Sequence, residues 1–407
     1  MVPLCLERAG AVLLDVDITV SDVKSEGNFL EPLLSHISKV NRLRLVGYST
    51  IEVVASDLPG FFTSPMPNLS SLELQQDTEP AELFPLNETP IPPIFQKVSK
   101  LKSLRLTRIP IYPTLFSITS LKELKLLGYA NPFNFRTFIG FLGSNLDLEL
   151  IELDIQFVAD SVETGTARNV PLSRLQHLSI TCSKAIDSKG LLSCISLPRG
   201  VHIEVTSTHT DPDTLLGSFL PSSLTPIHDL LAPITTIKTQ LDPQEFQVFG
   251  NGSSYTFRGT RLLLNVKSEF GLFPTTPVRE LYINTRPYKL DIKYLSNTIK
   301  VLPVLEILAI SGAATFPVGL FSALTEKPVS CPALKTIAFF DCEIGPDVMK
   351  KLGEALEKRR DSTAARVYRV VIVSSTGTMP DCTSVQQLRK TVPCVDIRMD
   401  DKLPDLW

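Results

Sequence analysis

The side chains able to do chemistry in this 407-residue chain are few and poorly grouped. Its five histidines, His36, His177, His202, His209 and His228, form no HxH or HExxH pair. The nearest two, His202 and His209, fall on a strand and a loop with Glu204 between them, a poor frame for zinc. The seven cysteines, Cys5, Cys182, Cys194, Cys331, Cys342, Cys382 and Cys394, are odd in number and lack any CxxC spacing. That argues against both a disulfide framework and a zinc site, and for a reducing compartment. With no base in view they read as small buried hydrophobes rather than nucleophiles. Gly250-Asn-Gly252-Ser-Ser lacks the Lys of a phosphate loop and reads as a turn, and there is no GxSxG. One arrangement does resemble a catalytic geometry. Glu152 and Asp154 lie two apart on one strand and so share a face, as a hydrolytic carboxylate pair would require. The expectation is nonetheless a non-enzyme with no cofactor and no metal, a solenoid hydrolase being an alternative.

The elements that carry these residues are set by a recurrent phrase, L-x-x-L-x-L, whose last four positions alternate as in a short strand. It occurs at Val40–Leu45, Leu69–Leu74, Leu101–Leu106, Leu121–Leu126, Leu148–Leu153 and Leu175–Ile180. It resumes at Val278–Ile283, Leu305–Ile310, Leu334–Phe339 and, loosely, Val367–Ile372. Successive copies start 29, 32, 20, 27 and 27 residues apart in the first half, then 27, 29 and 33 apart, close to the leucine-rich-repeat period of about 20–29 residues. The fold class expected is α/β, a leucine-rich-repeat-like solenoid. Short parallel strands would line its concave face, joined by irregular return segments with few helices, for which the 31 prolines are suited.

Residues 1–39 read as an N-terminal capping segment, 40–397 as the solenoid and 398–407 as a polar tail. The phrase fades near 200–277 to Val201–Val205 and Arg261–Asn265, a continuous solenoid with insertions being preferred there to a domain boundary. Val392-Pro-Cys-Val395-Asp-Ile397 supplies a final strand. The clearest helix is 345–360, with Pro346 in its first turn and Val348, Leu352 and Leu356 at four-residue spacing. Its Lys358, Arg359 and Arg360 read as a solvated, dipole-favoured end.

The opening Leu6-Glu-Arg-Ala-Gly-Ala-Val-Leu-Leu-Asp-Val-Asp-Ile18, followed by Leu33-Leu-Ser-His-Ile-Ser-Lys-Val-Asn-Arg-Leu-Arg-Leu45, resembles the segment after the F-box in F-box/leucine-rich-repeat proteins of mushroom-forming (basidiomycete) fungi. Those proteins carry a "LERSG…PLDV" phrase and then a "L…H…RWRSLRL" phrase. The resemblance implies target recognition for a cullin-type ubiquitin ligase. The F-box itself is expected upstream of this chain's start, so the ligase adaptor is a partner only if an F-box exists there; a stand-alone repeat scaffold is the alternative.

Binding would use the x positions of the phrase, which point outward. In the first half these include Arg42, Arg44, Lys102, Arg105, Lys122 and Lys125, then the acidic Glu152 and Asp154, a basic stripe running into an acidic edge. A merely solvated strand face would also be polar. The second-half face is more apolar, with Tyr282 and Phe340 as candidate anchors for a protein partner, though Phe340 could equally tuck into the coil. Nucleic acid is the weaker reading, because the net charge is −3 and the stripe has no interleaved aromatics. No stretch approaches 18 uninterrupted apolar residues, and Glu7 and Arg8 interrupt the N-terminal run. The expectation is a monomer with no membrane span or signal peptide, residing in the cytoplasm or nucleus.

Overall fold

The computed structural model describes residues 12–20, 31–47, 64–76, 98–109, 117–128, 134–154, 156–157, 169–182, 184–208, 219–220, 231–232, 234–241, 244–250, 253–259, 277–284, 295, 298–312, 319–325, 330–361, 365–374 and 382–399. The chain is α/β and divides into two compact units, Met1–Val201 and His202–Trp407. The division falls where the repeat phrase fades.

In the first unit seven strands pair in parallel and in sequence order: β1 (Leu14–Val20), β2 (Val40–Gly47), β3 (Ser71–Gln76), β4 (Ser103–Thr107), β5 (Glu123–Leu127), β6 (Leu150–Asp154) and β8 (His177–Cys182). A minor parallel pair, β7 (Val170–Pro171) and β9 (Ile195–Ser196), lies in the return segments. The described helices of this unit are α1 (Glu31–Leu34), α2 (Phe135–Gly143) and α3 (Ala185–Cys194). Helix α2 starts where the Asn134 side chain accepts the Thr137 N–H, an N-cap that satisfies one of the free donors of the first turn. Its Phe135 and Phe138 pack on Phe157 with ring centroids 4.9 and 5.7 Å apart.

The second unit begins with β10 (His202–Ser207) and departs from the expected all-parallel order. Strands β11 (Ile234–Leu241), β12 (Gln244–Gly250) and β13 (Ser253–Gly259) form an antiparallel meander, entered by the parallel pair β10–β13 and left by the parallel pair β11–β14. Parallel order then resumes through β14 (Glu280–Asn284), β15 (Ile307–Ser311), β16 (Thr336–Phe340), β17 (Arg369–Ser374) and β18 (Cys394–Met399). Gly250, the first residue of the Gly-Asn-Gly run, pairs with Ser253 across β12 and β13, and Asn251 and Gly252 lie outside the described residues. The strand-like run 261–265 and the N-terminal residues 6–11 lie outside the described residues. Strand β18 includes Arg398 and Met399, so the sheet extends two residues into the segment expected to be a tail; 400–407 lie outside the described residues.

Helices α4 (Gly319–Thr325), α5 (Pro346–Arg360) and α6 (Cys382–Thr391) occupy the return segments of this unit. Helix α5 matches the range read from the sequence, with Gly345 as N-cap and Pro at the start, where its missing N–H costs nothing. Its inner face is Met349, Leu352, Ala355, Leu356 and Arg359.

The repeat phrase is in register throughout. All three apolar positions of all ten copies are at most 3% exposed, and successive copies stand opposite one another, as in Leu43↔Leu72↔Leu104↔Leu124↔Ile151↔Leu178. Each such side chain contributes about 1.5–3 kcal/mol relative to exposure. The backbone repeats too. The residue after the first Leu donates its N–H to its counterpart in the preceding copy, from Ser70 to Asn41, Lys102 to Ser70, Lys122 to Lys102, Glu149 to Lys122 and Gln176 to Glu149, at 2.7–2.8 Å. The same relation joins Glu306 to Arg279, Lys335 to Glu306 and Tyr368 to Lys335 in the second unit. Several strands exit through a left-handed residue, among them Arg108, Gly128, Gly312 and Asp341.

Candidate functional site

Strand register decides what the outward residues of the first unit become. Asp17, Arg44, Glu73, Arg105, Lys125 and Glu152 form one row, each opposite the next on the neighbouring strand. Arg44 reaches Asp17 at 3.1 Å and Glu73 at 3.4 Å, Arg105 reaches the same Glu73 oxygen at 3.7 Å, and Lys125 meets Glu152 at 2.8 Å. The hydrogen bond to Asp17 holds the Arg44 guanidinium above its ordinary value, against a small desolvation. Three residues earlier in the phrase, Lys122 binds Glu149 at 2.6 Å, and this contact holds the Glu149 carboxyl below the usual carboxylate range. The basic stripe expected from the sequence is therefore a mixed ladder, because Asp17 and Glu73 interleave with Arg44 and Arg105, although Arg105 and Lys125 stand side by side. Arg42 and Lys102 are exposed beside it.

Glu152 and Asp154 do share a face, but each is engaged: Glu152 by Lys125, and Asp154 by the Gly128 N–H at 3.1 Å. Burial raises the Asp154 carboxyl above its ordinary value despite that hydrogen bond. His202 contacts the Ser254 hydroxyl through Nδ1 at 2.9 Å, and His209 and His228 lie outside the described residues. Among the described residues no group of three or more His, Cys, Asp or Glu could hold a metal ion, and no helix is long and apolar enough to cross a membrane. Cys182, Cys194, Cys331 and Cys342 are buried, whereas Cys382 and Cys394 are exposed, contrary to the expectation of a uniformly buried set. Burial pushes the Cys182 and Cys331 thiols up to about 12, which leaves them protonated and unreactive near neutrality.

The outward face of the second unit is of another kind. Across β14 to β18 one row runs Tyr282, Ala309, Ala338, Val371 and Asp396, and the next runs Asn284, Ser311, Phe340, Val373 and Arg398. Tyr282, expected as an anchor, and Phe340, expected either as an anchor or tucked into the coil, are only 4% and 1% exposed. They pack with Ala309, Ala338 and Val373 in one apolar cluster, with Val371 against it. Two alanines between two aromatic walls leave a pocket of about 300 Å³, which Arg369 and Arg398 also line. The aromatic residues thus shape a receptor instead of entering one.

Polar contacts surround the pocket. The Tyr282 hydroxyl donates to Glu280 at 3.3 Å, and burial together with the adjacent carboxylate pushes it up to about 12. Lys238 stands 5.5 Å from the Tyr282 ring centroid, within cation–π range. Asp396 bridges the two rim guanidiniums, at 2.7 Å from Arg398 and 3.1 Å from Arg369, and these bonds, chiefly that from Arg398, hold its carboxyl below the usual range. Asp396 is not among the residues lining the pocket, so the charges facing its interior are both positive.

The sequence pointed to Tyr282 and Phe340 but missed Arg369, Arg398 and the alanine floor. The signal available was the pair of Ala residues at successive x positions, where polar residues stand elsewhere. Compared with models of known protein families and with curated protein sequences, the chain matches none.

Proposed function

We propose that the chain is a leucine-rich-repeat-like solenoid that works as a non-enzymatic protein-interaction module, with its partner site on the outward strand face of the second unit. The observation that carries this reading is the Tyr282–Phe340 pocket, an apolar recess with a cationic rim on a face whose other x positions are mainly polar. The repeat-to-repeat backbone hydrogen bonds and the three buried rows support the solenoid part. The sequence resemblance supports a role as the target-recognition part of an F-box-type protein, acting inside the cell. A scaffold without a ligase link has the same surfaces and differs only in what is fused to them. The ion-pair ladder of the first unit is a less suitable partner site, since each of its cations already has an acidic neighbour within 3.7 Å and exposed pairs contribute only about 0–1 kcal/mol each.

Proximity labelling in cells tests the placement. Ala338→Leu, which fills the pocket floor, should remove specific neighbours, whereas the double reversal Arg105→Glu with Lys125→Glu should leave them in place. The opposite pattern would move the site to the ladder, and identical neighbours in all three proteins would defeat the interaction reading. The ligase link is tested separately: a transcript with no upstream F-box, together with no adaptor in purified complexes of the full product, would remove it.

A further inference from the structure

We propose that the segment 400–407, Asp-Asp-Lys-Leu-Pro-Asp-Leu-Trp, docks in the Tyr282–Phe340 pocket of its own chain. Its chemistry complements the pocket in both respects that matter. Leu403, Leu406 and Trp407 are apolar, and each lies within two residues of Asp401 or Asp405, while three Asp against one Lys give the segment a net charge of −2. The pocket offers an alanine floor between aromatic walls, with guanidiniums as the charged groups lining it. Arg369 spends one hydrogen bond on Asp396, and a guanidinium carries five donors. An Asp beside a seated Leu or Trp would take up donors that Asp396 does not use.

Size and reach agree. At about 300 Å³ the pocket stands at the small end of ligand sites, about 300–1,000 Å³, so it takes one or two side chains and not a helix. The segment follows Met399, the last residue of β18, and so begins two positions after Arg398, the residue of that strand that lines the pocket. The far wall, Tyr282 on β14, is four strand steps away, about 19 Å at about 4.8 Å per step. Eight residues extended at about 3.3 Å each span about 26 Å. Being tethered, the segment acts at high effective concentration and needs little intrinsic affinity. A partner segment of the same apolar–acidic chemistry would then enter only by displacing it, a consequence that rests on the interaction reading above; the docking itself does not.

Trp407 is the only tryptophan in the chain, so its fluorescence reports the contact directly. In the purified full chain the emission should be blue-shifted, and acrylamide quenching several-fold weaker, compared with a synthetic peptide of residues 400–407. Neither quantity should change with protein concentration. Ala338→Leu and Arg369→Glu should each return both to the peptide's values while circular dichroism and the thermal melt stay as in wild type. Leu406→Ser should do the same from the segment's side, and it lies outside every strand and helix described, so it keeps the test sound if a pocket variant misfolds. Wild-type quenching equal to that of the free peptide would overturn the proposal. Protection that survives Leu406→Ser and the folded pocket variants would overturn it too, and protection that grows with concentration would replace the intramolecular occupant by a second copy. These measurements contain no partner, so their failure leaves the labelling experiment standing, and a failed labelling experiment leaves them standing.

Discussion

Replacing Arg359 should destabilise the second unit far more than replacing its neighbour Arg360, although both end the same basic run. Arg359 is 1% exposed and continues the buried stripe of α5. Its Nη1 donates to the carbonyls of Leu324 at 3.2 Å and Ser330 at 2.8 Å, and its Nη2 donates to that of Cys331. Leu324 is in the last turn of α4, so the cation also faces the negative end of a helix dipole. Burial lowers the guanidinium from its ordinary value, yet an arginine stays charged, and the Cys331 thiol, pushed up to about 12, offers no anion. Carbonyl dipoles therefore hold this charge.

Three hydrogen bonds from a charged donor are worth about 1.5–3 kcal/mol each, roughly 5–9 kcal/mol in gross terms. Relief from burying the ion offsets several kcal/mol of that. Arg359→Met, which keeps much of the volume, should lose about 2–4 kcal/mol, and Arg359→Lys, with a point charge in place of a fork, somewhat less. Arg360→Ala, which gives up an exposed pair with Glu357 at 3.3 Å, should stay within about 0.5 kcal/mol. Urea unfolding gives the totals, and hydrogen exchange should locate the loss at α4 and α5. If Arg359→Met were as stable as wild type, the desolvation cost would equal the whole hydrogen-bond gain and the reasoning would fail.

Two further outcomes are expected. Burial pushes the Asp187 carboxyl from near 3.8 up to about 6, against the pull of the Phe157 backbone N–H and of Lys184. The folded state thus binds a proton more tightly than the unfolded one, and stability falls as pH rises from about 4 to about 6 and is flat above. Asp187→Asn should remove that slope and gain about 1–3 kcal/mol at pH 7, with the difference vanishing below about pH 4; a parallel pH profile in the variant would contradict this. At Gly128, where φ is +69° and an added Cβ would stand 2.7 Å from the Arg108 Cγ, Ala should cost about 1–3 kcal/mol, whereas Gly353→Ala in α5, with open space around it, should be neutral or stabilising by thermal melt.

The local rules were legible without coordinates. Alternation of apolar residues over the last four positions of the phrase demands a one-sided strand, and the two apolar positions there are buried in every copy for that reason. Pro346 with Gly345 before it and a three-to-four spacing of apolar residues specified α5, and Val392–Ile397 pointed to β18. What depends on which strand lies beside which was not legible. The meander β11–β13 interrupts the parallel order; Asn251-Gly252 between two strand-like runs is a hairpin signal in the sequence, but the parallel pairs β10–β13 and β11–β14 on either side of the meander are written nowhere in it. Glu73 turns the basic stripe into a ladder only because register puts it between Arg44 and Arg105. Arg359 looked like its neighbours in a solvated basic run, and only the carbonyls brought together by α4 and residues 330–331 make its burial tolerable. Tyr282 and Phe340 read as candidate anchors because a sequence records that a side chain leaves the core side of its own strand, whereas strand neighbours far along the chain, Ala309 27 residues and Ala338 56 residues beyond Tyr282, decide that the aromatics line a recess. Periodicity is a property of one segment and survives in the sequence; charge pairing and cavity shape are properties of neighbours, and only the tertiary structure supplies those.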